Sequence, residues 1–152
     1  MAAIAVAGSA LAQTPVERGS YLVNGILTCG NCHTPRGPGG VWDMSKQLSG
    51  GPRTWDEVTF KAKATNITPN LETGIGKWSD ADIKRSMLAG VRPNGTQIAP
   101  IMPYGLYKVF TPANIDAVVA YFNRCRRSAT PSSRRSTRPR CTSIRHRARR
   151  RP

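Results

Sequence analysis

Two cysteines and a histidine stand close together near the start of the chain, as Cys29-Gly30-Asn31-Cys32-His33. Two thiols three residues apart lie on one side of a helical turn, and the following histidine can project its imidazole over the same space. This C-x-x-C-H spacing is the attachment signature of c-type haem, in which both thiols form thioethers with the porphyrin vinyl groups and the histidine binds iron. The motif predicts one covalently bound haem c, anchored by Cys29 and Cys32 and ligated by His33.

Three other uses of these cysteines are open. A thioredoxin-like redox pair follows a strand in a βαβ unit, and the residues before Cys29 show no such unit. A zinc site needs further ligands, and the later candidates, Cys125, Cys141 and His146, lack finger or ribbon spacing. A structural disulfide is the third alternative, because an exported chain with four cysteines allows disulfide pairing.

A haem that only transfers electrons usually has a second protein ligand, and a methionine thioether raises its reduction potential. Met44 lies too close to His33 along the chain to reach the opposite face of a ring easily, and Met87 lies in a helical pattern typical of core packing. Met102 stands between two prolines that stiffen an extended segment. We predict Met102 as the sixth ligand. The alternatives are ordinary packing of Met102, or an open iron site as in a haem enzyme or gas sensor.

The first elements that must position these residues are two short helices. Residues 16–27 have the apolar spacing of an amphipathic helix that leads into the motif, with Gly19 allowing close helix packing. Ser79 begins a capping box for a helix over residues 80–89, and Gly90 is a natural stop.

A third helix and a long loop complete the predicted fold. Thr111 as N-cap and Pro112 at the first helical position predict a last helix of about three turns. Residues 33–51 are rich in Gly and Pro and predict a loop, and no strand pattern is visible. The result is an all-α fold of three to four short helices, whose small core a haem would complete.

Composition and charge divide the chain into three parts. With 152 residues, it has the length of one domain. Residues 1–12 are small and apolar and end in Ala10-Leu11-Ala12, which predicts a signal peptide truncated at its start and hence an exported protein. Residues 13–123 form the predicted cytochrome domain, and no apolar run in the chain is long enough to span a membrane.

Residues 124–152 are an Arg-rich tail. They contain 12 Arg, no Lys and no acidic residue, and they supply most of the net charge of +15. This composition predicts disorder. One interpretation is a GC-rich gene read out of frame. The other is a basic arm for an anionic membrane, nucleic acid or an acidic redox partner.

Several further stretches carry a family resemblance. The ordered set resembles a class I c-type cytochrome domain, and within that class the single-haem domains related to the cytochrome subunits of bacterial alcohol and aldehyde dehydrogenases. Those subunits typically carry several such domains, whereas this chain has one C-x-x-C-H, and nothing from Arg124 onward matches. The stretches are Gly19-Ser20-Tyr21-Leu22, Cys29-Gly30-Asn31-Cys32-His33-Thr34, Asn66-Ile67-Thr68-Pro69, Thr73-Gly74-Ile75-Gly76, Trp78-Ser79-Asp80, Gly90-Val91-Arg92-Pro93-Asn94-Gly95 and Met102-Pro103-Tyr104.

The resemblance implies a cytochrome c-like fold in which a haem packs among three main helices, the first and last crossing. It implies His33 and Met102 as axial ligands and an electron carrier rather than an enzyme. We expect a dehydrogenase donor, an oxidase or membrane-complex acceptor, no specific nucleic acid, and a periplasmic or other extracytoplasmic location with peripheral contact with an anionic membrane. Trp78 and Tyr104 either border the haem or serve as packing aromatics. The alternative function is a basic binding protein that acts through its Arg-rich tail.

Overall fold

The computed structural model describes residues 13–51 and 53–127, without the side chains of residues 125–127. The predicted signal peptide and residues 128–152, with Cys141 and His146, lie outside the described residues, as does the side chain of Cys125. Within the described part, four α-helices and one antiparallel hairpin follow in the order α1 Pro15–Tyr21, α2 Gly30–His33, β1 Thr54–Asp56, β2 Lys61–Lys63, α3 Asp80–Ala89 and α4 Pro112–Arg127. A π-helical turn covers Leu22–Ile26, and 3-10 turns cover Pro38–Gly40, Met44–Lys46 and Tyr104–Val109.

Helix α1 starts at a capping box and passes directly into the π-helical turn. The Thr14 hydroxyl accepts from the Glu17 backbone N–H at 3.2 Å, and the Glu17 carboxylate accepts from the Thr14 backbone N–H at 2.9 Å. Beyond Tyr21 the backbone hydrogen bonds change from the α-helical to the π-helical pattern. The N–H of Leu27, for example, donates to the carbonyl of Leu22, five residues earlier. The predicted helix over residues 16–27 is therefore helical as expected, but in two forms.

Helix α1 packs closely against α4, and Gly19 makes this contact possible. A Cβ atom on Gly19 would lie 1.9 Å from the carbonyl oxygen of Ala117. Beside this point, Arg18 Nε donates to Asn114 Oδ1 at 2.9 Å. The prediction that Gly19 serves close helix packing is confirmed. The core around the contact includes Leu22, Val23, Ile83, Ile115, Val118 and Phe122.

Helices α3 and α4 begin as the sequence predicts. The Ser79 hydroxyl accepts from Asp82 N–H at 3.1 Å and the Asp82 carboxylate accepts from Ser79 N–H at 3.0 Å, while Gly90 ends α3 in the left-handed conformation at φ 69°. The Thr111 hydroxyl accepts from Asn114 N–H at 3.3 Å at the start of α4.

Helix α4 is longer than predicted. It has 16 residues instead of about three turns, and it continues to Arg127. Residues 124–127, assigned from sequence to a disordered tail, are therefore helical. Arginine has a high helix propensity, so the basic composition does not stop the helix at residue 123.

One hairpin contradicts the prediction that the chain has no strands. β1 and β2 pair antiparallel with Trp55 opposite Ala62, and Lys61 Nζ lies 3.0 Å from the Asp56 carboxylate. Each strand has three residues and one half-buried side chain. No alternation can be recognised over so short a length, and the pairing depends on the partner strand.

Replacement of Gly19 by Ala is expected to destabilise the fold, because the new methyl group would overlap the Ala117 carbonyl. We expect a loss of about 1–3 kcal/mol in the free energy of unfolding, measured by urea titration. Gly25→Ala is the matched control, since its Cβ would meet only the Tyr21 ring at 3.7 Å. Equal effects of the two substitutions would contradict the assignment.

Candidate haem-attachment site

The motif residues lie on the short helix α2. Thr28, just before it, has a positive φ of 46°, which is unusual for a β-branched residue. The N–H of His33 then donates to the carbonyl of Cys29 at 3.0 Å, which closes the helical turn. Cys29 and Cys32 are half-buried, and their thiols are not joined to each other in this structure.

The Cys29 thiol is unlike the reactive thiol of a redox pair. Burial, with a smaller contribution from the neighbouring Cys32, raises its pKa to about 12. A thioredoxin-like pair works through a thiol of lowered pKa. In the described residues before the motif there is only helix and turn, with no strand that could begin a βαβ unit. The structure therefore does not support the thioredoxin-like alternative.

The imidazole of His33 has one nitrogen committed and one nitrogen available. Its Nδ1 lies 2.7 Å from the carbonyl oxygen of Thr65. A carbonyl can only accept, so Nδ1 carries the proton and Nε2 keeps its lone pair. Burial lowers the pKa of His33, although the bond to Thr65 opposes this shift. The ring is thus neutral near pH 7, as a metal ligand must be.

Gly50 and Gly51 lie where the backbone of the motif passes close to the backbone of Ala64. The N–H of Gly50 donates to the carbonyl of His33 at 2.9 Å, and that of Gly51 donates to the carbonyl of Ala64 at 3.1 Å. A Cβ on Gly51 would lie 2.0 Å from the carbonyl oxygen of Cys32. Only a residue without a side chain fits at this approach of two backbones.

The three internal methionines lie in different surroundings. Met87 is a core residue of α3 with 6% of its surface exposed, whereas Met44 is 50% exposed. Met102 is half-buried and packs against the same core cluster as Cys29. Its backbone is held in a turn, because its N–H donates to Ala99 at 3.0 Å and its carbonyl accepts from Tyr104 at 2.8 Å.

The turn that contains Met102 rests on the end of α3. A Cβ on Gly90 would lie 2.6 Å from the Tyr104 ring, and the N–H of Ile98 donates to the carbonyl of Gly90 at 2.6 Å. Gly90 therefore both ends the helix and receives the Tyr104 ring. Tyr104 has a packing role at this place, and Trp78 packs against the core cluster.

The stretch after Thr65 folds into a compact turn. Asn66 Oδ1 accepts from the N–H of Thr68 at 2.9 Å, and Asn66 Nδ2 donates to Thr73 Oγ1 at 2.8 Å. Gly74 lies so close to the Thr68 carbonyl that its Cβ would be 2.2 Å away. These hydrogen bonds explain the positions of Asn66, Thr68 and Thr73 in the sequence. They also fix the segment whose Thr65 carbonyl contacts His33.

Sequence reasoning missed two residues at the site. Thr65 acts through its backbone carbonyl, for which no residue type is a signal. Tyr107 is buried, and burial raises its pKa to about 12, with smaller contributions from Cys29 and Cys32. Its hydroxyl therefore stays protonated near neutral pH. Its place in a 3-10 turn after Met102 gives no periodic pattern that would have shown it.

Away from the motif, the described part of the chain contains grooves, but no cluster of metal ligands and no membrane-spanning helix. Across residues 13–51 and 53–127, no three His, Cys, Asp or Glu side chains converge on a site for a metal ion. Grooves of about 460 and 290 Å³ flank the Lys84–Asp116 ion pair, and neither is lined by the motif or Met102. None of the helices described here has the length and apolar character needed to cross a membrane.

Comparisons with known proteins find c-type cytochromes among the relatives of the chain. No protein-family model matches the chain. The cytochrome c subunit of alcohol dehydrogenase (quinone) from Gluconacetobacter polyoxogenes is 31% identical over 123 residues, which are 77% of this chain and 24% of that protein. The gluconate 2-dehydrogenase cytochrome c subunit of Pantoea cypripedii is 35% identical over 70% of this chain and 22% of its own length. A diheme c-type cytochrome of Cereibacter sphaeroides is 37% identical over 57% of this chain and 28% of its own length.

This chain spans about a quarter of the length of these relatives. Two of them belong to different dehydrogenases, and what all three names share is the c-type cytochrome. The common element is therefore the cytochrome unit and not one dehydrogenase chemistry. Together with its mostly helical, cytochrome c-like fold, this similarity shows that the chain is a c-type cytochrome domain related to the cytochrome c subunits of bacterial dehydrogenases.

Proposed function

We propose that this domain is an exported electron carrier with one covalently attached haem c, which takes electrons from a dehydrogenase and passes them to a respiratory acceptor. The observation that carries the proposal is the state of His33. Its Nδ1–H is bound to the Thr65 carbonyl and its Nε2 is available for iron, on the same turn as two free thiols. Membership of this family makes it an electron carrier and not a catalytic enzyme.

The donor set fits a c-type haem. The Cys29 and Cys32 thiols would each add across a vinyl group, with sulfur and hydrogen ending on its two carbons. His33 Nε2 and the Met102 thioether would hold the iron, and both atoms belong to groups that are uncharged near neutral pH. When bound, haem c supplies an iron that alternates between Fe(II) and Fe(III). The chain would anchor the ring through Cys29 and Cys32, and the Thr65 carbonyl fixes the imidazole of His33.

The names of the relatives support the proposed partner, and the composition of the chain supports the proposed location. Two of them are named as cytochrome c subunits of an alcohol and a gluconate dehydrogenase, which supports a dehydrogenase as electron donor. An oxidase or membrane complex would accept the electrons through a small transient interface. An extracytoplasmic, periplasmic location with peripheral contact with an anionic membrane is consistent with the apolar residues 1–12 and the Arg-rich residues that follow α4.

Covalent attachment can be measured directly. After export in cells that have a haem-attachment system, the chain is expected to carry one haem, detected as a pyridine adduct, that resists acid extraction. Cys29→Ser or Cys32→Ser removes one thioether and should lower the retained haem, whereas Cys141→Ser is the matched control and should not. A colourless wild-type protein would refute the proposal.

Replacement of Met102 by His tests the sixth ligand. A thioether favours Fe(II) more than an imidazole does, so the midpoint potential should fall. We expect a fall greater than about 59 mV, a tenfold change in the one-electron equilibrium constant. Met44→His is the control, since Met44 is 50% exposed, and its potential should equal that of the wild type. An unchanged midpoint potential in Met102→His would contradict the assignment of Met102 as an iron ligand.

Deletion of residues 128–152 separates the carrier from a basic binding protein that acts through its tail. The cut keeps every residue that the structure describes in α4, which it describes as far as Arg127. The carrier predicts the same haem content and the same midpoint potential after deletion. Loss of electron exchange with every donor and acceptor, despite an intact haem spectrum, would favour the binding protein.

A further inference from the structure

Residues 48–51 connect the motif turn to the segment that contains Thr65. On one side, the N–H of Leu48 donates to the Thr34 hydroxyl at 3.2 Å and the N–H of Gly50 donates to the His33 carbonyl at 2.9 Å. On the other side, the Leu48 carbonyl accepts from the N–H of Ile67 at 3.0 Å. Hydrogen bonds therefore join residues 48–51 to the motif turn on one side and to the segment of Thr65 on the other.

Thr34 is the buried polar side chain at this junction. It directly follows His33, only 1% of its surface is exposed, and its hydroxyl accepts the Leu48 N–H. Leu48 is itself buried and has a positive φ of 64°, a conformation that a leucine adopts only when its surroundings hold it there. The Thr34 hydroxyl is one of the contacts that hold it.

The junction closes a ring of contacts around the imidazole. From Thr34 the path runs through Leu48 to Ile67, two residues beyond Thr65, whose carbonyl accepts from His33 Nδ1 at 2.7 Å. If Leu48 moves, the segment that carries this carbonyl loses one of its attachments. The distance between the carbonyl and Nδ1 then depends on the remaining contacts.

We propose that Thr34 is a positioning residue for His33: its hydroxyl, acting through Leu48, keeps the Thr65 carbonyl on the imidazole and thereby sets the reduction potential of the iron. The inference rests on the proposed haem ligation by His33. A hydrogen bond from Nδ1–H to a carbonyl makes the other nitrogen a stronger donor. A stronger donor favours the more highly charged Fe(III), so this bond holds the potential down.

The test compares Thr34→Val with Thr34→Ser in the full-length, haem-loaded protein. Valine has the shape of threonine but no acceptor for the Leu48 N–H, whereas serine keeps the hydroxyl. Thr34→Val is expected to raise the midpoint potential by an amount that corresponds to about a three- to tenfold change in the equilibrium constant, at most about 59 mV. The electron paramagnetic resonance spectrum of the ferric form should change with it. Thr34→Ser should restore both.

Ser86→Ala is the control for loss of a buried hydroxyl elsewhere. Ser86 is buried and its hydroxyl donates to the Ile83 carbonyl at 2.8 Å within α3. This variant should lower stability in urea without changing the potential. If the Thr34→Val protein does not accumulate, Thr34→Ala is used instead. Alanine also lacks the hydroxyl, and it places no methyl group where the hydroxyl was.

The outcomes separate the inference from the proposed function. Haem content by pyridine adduct is measured first, and absence of haem from the wild type overturns both. With haem present, an unchanged midpoint potential and resonance spectrum in a variant without the hydroxyl would overturn the positioning role of Thr34 and leave it a structural residue only. Failure of Thr34→Ser to restore the potential would overturn the role of the hydroxyl in the same way.

Discussion

The hydrogen bond between His33 and Thr65 joins two segments that are 32 residues apart, and the site depends on it. To bring the carbonyl of Thr65 to the imidazole, the chain must bend back across the motif turn with very little space between the backbones. Gly51 meets this constraint, since a Cβ there would lie 2.0 Å from the Cys32 carbonyl oxygen. The left-handed Leu48 and the buried Thr34 are consequences of the same narrow passage.

The α1–α4 contact provides the frame on which this passage is built. Gly19 lets the two helix backbones approach, and the π-helical turn carries the chain from α1 to Cys29, whose N–H donates to the Val23 carbonyl at 3.1 Å. A small apolar core of short helices is a modest source of stability. A large apolar cofactor anchored at the edge of that core would extend it, which agrees with the half-buried state of Cys29 and Met102 against the core cluster.

The second half of the chain positions Met102 by a separate set of contacts. Gly90 ends α3 and receives the Tyr104 ring, so the turn that contains Met102 is fixed to α3 and not to the motif loop. His33 on α2 and Met102 in its turn are thus held by two separate sets of contacts on one helical frame. This arrangement agrees with the proposed ligation of haem iron by both side chains, because neither side chain depends on the other for its support.

The sequence by itself determined the features whose causes are local. The C-x-x-C-H spacing, the capping boxes, the stop at Gly90 and the small residue at position 19 are readable because they depend on residue type and short-range geometry. Only the tertiary structure decided which carbonyl accepts from His33, how the three-residue strands pair and that α4 continues beyond residue 123. A backbone carbonyl is the same in every residue, and a short strand has no periodicity, so their roles arise only when distant segments meet.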